Sequence, residues 1–294
     1  MTKHALAGIV ILCLVAYPAY SLEDVDDLFD SSENLLETYF SHLGESIFGI
    51  PDLSTGDEVS KWSPEMLVNP EELGKYMEGD ILFPTDGLSR NGLRAKSSRW
   101  PDATVYYRIS PAFTYREQAV ILAAFDDYHN KTCVRFVPWS GQRDCLRIVK
   151  GNTGCWSSVG RLGGCQDLNL QSPGCLSQKG TAIHELMHAL GFNHEHTRWE
   201  RDRHVSIRWG NIQKGRENNF QKASKKTTDA LGVDYDYRSV MHYSQYAFSA
   251  NGQPTIEPMN KIKGMKLGQR EGFSRGDIKK INRMYKCNNK KRTK

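Results

Sequence analysis

With 294 residues, 39% of them apolar and 25% charged, the chain has room for one ordinary domain and a preceding segment. Beyond its first twenty residues nothing is apolar enough to span a bilayer, and there is no internal repeat or low-complexity stretch, which excludes a polytopic membrane protein and a repeat array. The net charge of +5 conceals a division: residues 22–90 hold 17 acidic and 3 basic side chains, and residues 91–294 hold 17 acidic and 35 basic. That asymmetry fits two segments that attract each other rather than a nucleic-acid binder.

Taken in chain order, Lys3 and His4 precede an apolar run from Ala5 to Ala16, followed by small residues at Ala19 and Ser21. This pattern predicts a secretory signal peptide over 1–21 and an extracellular, secreted protein. Residues 22–90 are acidic and rich in turn residues, with a helix expected only near 28–43. They are not expected to bury a core of their own. From Asn91 the pattern becomes that of a globular domain, 91–294.

Within it, 104–109 is β-branched and aromatic and predicts a strand. Thr114 with Glu117 predicts a capping box, and Ile121, Phe125 and Tyr128 share one face of the helix behind it. Short strands are expected at 134–137, 146–149 and 167–170, and a helix over 178–190. A loop-rich stretch then lasts until Ser274 and Asp277 cap a final helix carrying Ile278, Ile281 and Tyr285 on one face. Once the signal is removed, six cysteines remain, none in a C-x-x-C pair. Outside the cell an even number predicts three disulfides, with 15 pairings open. The sequon Asn130-Lys131-Thr132 is a candidate glycosylation site.

Chemistry concentrates in His184-Glu185-Leu186-Met187-His188-Ala189-Leu190-Gly191-Phe192-Asn193-His194. Residues four apart share a helix face, so His184 and His188 can grip one metal ion, with Glu185 beside the first ligand. Gly191 can adopt the left-handed conformation that stops a helix, which would return His194 as a third ligand. Three imidazoles and an open position suit a catalytic zinc site rather than a closed structural one.

With the downstream Ser239-Val240-Met241-His242-Tyr243, this stretch resembles the astacin family of metzincin zinc metalloendopeptidases. The resemblance implies an α+β metzincin-type protease domain, two lobes divided by the active-site helix and cleft and preceded by an acidic inhibitory propeptide (22–90). It implies one Zn2+ per chain on His184, His188 and His194, and Glu185 as the general base toward the zinc-bound water. Met241 would form an apolar floor, Tyr243 would stabilise the oxyanion, and Glu195 would pair with the new amino end of the matured chain. Cys133–Cys287 and Cys155–Cys175 would be the family disulfides, leaving Cys145–Cys165 as the third. Met77-Glu78-Gly79-Asp80 resembles the family's F-x-G-D element, with methionine in place of phenylalanine, and makes Asp80 a zinc latch in the latent form.

The function that follows is a secreted zinc endopeptidase made as a zymogen and cut by a trypsin-like protease at Arg90-Asn91, with Arg94 and Arg99 as competing sites. Substrates would be proteins or peptides lying extended along an edge strand near Trp156 to Gly160. A monomer is expected. Weak polyanion binding through Lys225-Lys226 and Lys290-Lys291-Arg292 is a secondary expectation.

Overall fold

The computed structural model describes residues 48–84, 98–225, 228–260 and 266–287. The expected signal peptide, the 28–43 helix, the Arg90-Asn91 cut and the 290–292 tail lie outside these.

The acidic segment enters as β1 (Phe48–Gly49), which pairs in parallel with β2 (Phe83–Pro84). Between them lies α1 (Leu53–Ser60), a helix that the sequence reading did not anticipate in this stretch. Asp52 caps it, its carboxylate accepting the Ser54 N–H at 2.8 Å. The eight residues carry little periodicity, because α1 docks through Gly56, where a Cβ would stand 1.8 Å from the Asn152 carbonyl oxygen. The segment buries apolar side chains against the following domain. Val59 joins the main core, while Tyr76 and Leu82 cluster with Trp156.

The domain opens with β3 (Thr104–Ile109), followed by α2 (Tyr115–Lys131), whose capping box joins Thr114 to Glu117. Next come β4 (Arg135–Pro138), β5 (Cys145–Val149), β6 (Cys155–Ser157) and β7 (Cys165–Leu170). They form one sheet in the order β4-β3-β5-β7-β6, parallel except for β6, which pairs antiparallel with β7. Helix α3 (Lys179–Ala189) packs on α2 and behind β6 and β7. It is buried along its whole length after Lys179, as befits a helix through the middle of a domain. Phe125, Phe136 and Tyr128 pack ring on ring in this core, and the Tyr128 hydroxyl donates to the Ile183 carbonyl at 2.8 Å.

The chain beyond α3 is short 3-10 turns, the two-stranded pair β8 (Val205–Ile207) and β9 (Ile256–Pro258), and the terminal helix α4 (Arg275–Met284). This part has its own apolar cluster around Phe220, Tyr235, Tyr243, Phe248 and Leu267. Disulfides join Cys133 to Cys287, Cys145 to Cys165 and Cys155 to Cys175. Cys145 and Cys165 face each other in register on β5 and β7. Asn130 is exposed on the last turn of α2, while the Thr132 hydroxyl is turned inward and donates to the Tyr128 carbonyl.

Candidate metal centre and active site

Helix α3 presents His184, Glu185 and His188 and then stops abruptly. Gly191 takes φ +109°, and its N–H reaches the His188 carbonyl at 2.7 Å while the Phe192 N–H reaches the Met187 carbonyl at 3.2 Å. These two bonds are the reciprocal pair that closes a glycine-terminated helix. The turn brings His194 back, so that the Nε2 atoms of His188 and His194 lie 3.1 and 3.3 Å from Nε2 of His184.

Each histidine is oriented from its other nitrogen. His184 Nδ1 donates to the Val240 carbonyl at 2.8 Å, and His188 Nδ1 to the Phe192 carbonyl at 2.7 Å. His194 Nδ1 donates to the carboxylate of Glu78 at 2.7 Å. With the three Nδ1 positions so committed, three Nε2 atoms converge on one point. Asp80 joins them: its Oδ2 lies 2.9 Å from His184 Nε2 and 3.2 Å from His194 Nε2, and its Oδ1 lies 3.4 Å from His188 Nε2. All four side chains are buried. Lone pairs packed this closely repel unless a cation sits among them, and three imidazoles with a carboxylate are a donor set suited to zinc. The electrostatics favour a positive charge at this point. Burial opposes a charge on His194, yet the Asp80 and Glu78 carboxylates push its pKa up to about 10. Burial works against the Asp80 charge as well, but His194 and His188 hold its carboxyl well below the usual range.

Glu185 is fully buried, and neither carboxylate oxygen has a hydrogen-bond partner among the described residues. Burial, with Asp80 and Glu71 nearby, pushes its pKa well above the ordinary carboxylate value. Tyr243 is also buried, its hydroxyl donating to the Glu78 carbonyl at 2.5 Å rather than lying among the four metal-site side chains. Met241 is buried in the main core, and its carbonyl accepts the Glu195 N–H at 2.9 Å. Glu195 is ion-paired with Arg198 at 2.8 Å and with Lys280, and it accepts the Asp236 N–H at 2.8 Å. Its expected partner at Asn91 falls outside the described residues.

Three contributors were not singled out from the sequence. Asp277, read there only as a cap, accepts Ser239 Oγ at 2.6 Å and the Val240 N–H at 2.9 Å, and so fixes the turn whose carbonyl orients His184. Arg270 is buried and ion-paired with Glu71 of the acidic segment at 2.5 Å. Glu72 accepts both the N–H and the hydroxyl of Ser244 at 2.6 Å. The cleft is closed along β6 by the same segment. The Ser157 N–H reaches the Asp80 carbonyl at 2.9 Å, and the Leu82 N–H reaches the Ser157 carbonyl at 3.1 Å.

Comparison with known proteins accords with this geometry. Residues 92–286 match the model of the astacin peptidase family. The chain is 44% identical over 221 residues to zinc metalloproteinase nas-13 of Caenorhabditis elegans, covering 75% of this chain and 48% of that protein. It is 41% identical over 244 residues to zinc metalloproteinase nas-8 of Steinernema carpocapsae, covering 79% of this chain and 58% of that one. The chain thus spans about half the length of these curated relatives. Among solved structures it is similar to high choriolytic enzyme 1, a hatching enzyme zinc-protease of the medaka Oryzias latipes, at a TM-score of 0.59 and 40% identity over 67% of this chain and 94% of that one. The chain belongs to the astacin family of zinc peptidases.

Proposed function

We propose that this protein is a secreted zinc endopeptidase held latent by residues 22–90 until they are cut away. The observation that carries the reading is the convergence of three imidazole Nε2 atoms beside a buried glutamate that has no hydrogen-bond partner among the described residues. His184, His188 and His194 would hold the zinc, joined in the latent form by the Asp80 carboxylate. When bound, zinc acidifies water and polarises a carbonyl oxygen.

The chain's own groups supply the rest. Glu185 takes the proton of the attacking water as its oxygen bonds to the peptide carbon, and passes it to the leaving nitrogen as the C–N bond breaks. Its uncommitted carboxylate and burial favour that double role. The Tyr243 hydroxyl, which now donates to the Glu78 carbonyl, is free once the segment leaves and donates to the carbonyl oxygen that gains charge. Substrate backbone replaces residues 80–82 along β6, using the same Ser157 N–H and C=O.

Latency is supported by the Glu71–Arg270 and Glu72–Ser244 anchors as well as by Asp80. Cleavage at Arg90 rather than Arg99 is favoured because Arg99 is tied down: its guanidinium donates to the Met284 carbonyl at 3.0 Å, and its own carbonyl accepts Arg161 Nε at 3.2 Å. Secretion is supported by the three disulfides, and among the described residues no helix is long and apolar enough to cross a membrane.

The test is to express the precursor, trim it briefly with trypsin and follow casein cleavage with and without a zinc chelator. Cleavage should arise only after trimming, vanish on chelation and be absent in Glu185→Ala. A folded, zinc-loaded, trimmed chain that cuts nothing would overturn the reading in favour of a noncatalytic zinc-binding protein.

A further inference from the structure

Glu78 stands in the left-handed region at φ +48°, a backbone that glycine or asparagine would adopt more readily. It is nonetheless buried, and all three of its polar groups are committed to the domain that follows. Its N–H donates to Asn219 Oδ1 at 3.0 Å, and its carbonyl accepts the Tyr243 hydroxyl at 2.5 Å. Its carboxylate accepts the Nδ1–H of His194 at 2.7 Å. The backbone contacts would serve any residue, so only the third explains a glutamate at this strained position.

The outer partners of His184 and His188 are the carbonyls of Val240 and Phe192, which belong to the domain itself. The outer partner of His194 alone comes from the acidic segment. It is also the only charged one of the three. A carboxylate accepting one ring N–H fixes the ring and makes the opposite nitrogen a better donor to a metal.

We propose that Glu78 is a positioning residue for the metal, which makes the precursor the form that acquires and holds zinc most tightly. The acidic segment then has a loading role beyond blocking the cleft, and its removal leaves His194 the least firmly oriented ligand. This rests on the zinc reading of the histidine cluster and on 22–90 being removed.

The test uses the full precursor, stripped of metal and titrated with zinc against a chromophoric chelator. Glu78→Ala should lower zinc affinity by roughly 10- to 100-fold, the range expected on losing such an outer partner. Glu78→Gln keeps an acceptor without the charge, and should fall between the two. The same loss should persist in an Asp80→Ala background, and cobalt in place of zinc should show a shifted visible absorption band in Glu78→Ala. An affinity within about twofold of the parent, in folded Glu78→Ala or in Glu78→Gln if the alanine variant does not fold, would overturn the proposal. So would a loss that disappears once Asp80 is replaced, since Glu78 would then act only through the latch. Failure of the parent precursor to bind zinc at all would sink the cluster's assignment itself, a result distinct from either.

Discussion

Asp277 and Val240, 37 residues apart, are joined by a 2.9 Å hydrogen bond from the Val240 N–H to the Asp277 carboxylate, and the Val240 carbonyl then accepts the proton of His184 Nδ1. One buried carboxylate in the first turn of α4 therefore accepts the Ser274 N–H in the capping box, ties down Ser239 and sets the orientation of a metal-site ring. Removing it strands several buried donors at once. Asp277→Ala is expected to cost about 3 kcal/mol of stability and to let a chelator strip the metal faster. Urea unfolding with and without zinc checks both; equal midpoints and equal stripping rates would show that the turn holds itself.

The Glu71–Arg270 pair bridges the acidic segment and the domain with both side chains almost wholly buried. Breaking such a pair leaves an uncompensated buried charge, a loss of about 3–5 kcal/mol. Glu71→Ala should therefore loosen the segment in the uncut precursor, shown by faster tryptic trimming and by casein cleavage before trimming is complete. The trimmed enzyme should be unchanged, because Glu71 has left it. A variant precursor as latent and as slowly trimmed as the parent would place the holding energy elsewhere.

Tyr243→Phe removes a single hydroxyl from a buried ring that packs against His194, His196 and Phe220. If it donates to the developing oxyanion, kcat should fall about 100-fold or more, with KM little changed. A fall confined to KM would mean that the ring only shapes the cleft.

The histidine cluster was legible because its information is local. The spacing of His184 and His188 is one helical turn, and Gly191, at φ +109°, turns the chain so that His194 returns to them. Strands β3, β4, β5 and β7 and the capped helices α2 and α4 were legible for the same reason, whereas β8 and β9 fall in the stretch that read as loop. What could not be read was long-range. Asp277 looks like a cap because it is one, and nothing near it in sequence points to Val240. Helix α1 was missed because Gly56 is chosen for close approach to Asn152 rather than for helix propensity. Glu78 is adjacent to a recognisable motif, but its role is visible only once His194 lies against it.

Glu117 offers a test of stability far from the metal. Burial would raise its pKa, but hydrogen bonds from Ser172, from Lys150 at 2.9 Å and from the Thr114 N–H at 2.7 Å outweigh that and bring it to about 2. A carboxyl whose pKa is lower folded than unfolded stabilises the fold above its unfolded value. That contribution is lost as pH falls from the ordinary carboxylate range toward 2. Glu117→Gln keeps the capping-box geometry at α2 and removes only the charge. It should cost about 1 kcal/mol at neutral pH, reduced from the full linkage value because the carboxylate is partly in water. The difference between parent and variant should shrink steadily below about pH 4.5 and vanish near pH 2. Thermal unfolding of both chains across that interval is the check. Parallel curves would mean that the Lys150 and Thr114 contacts hold the neutral side chain as well as the charged one.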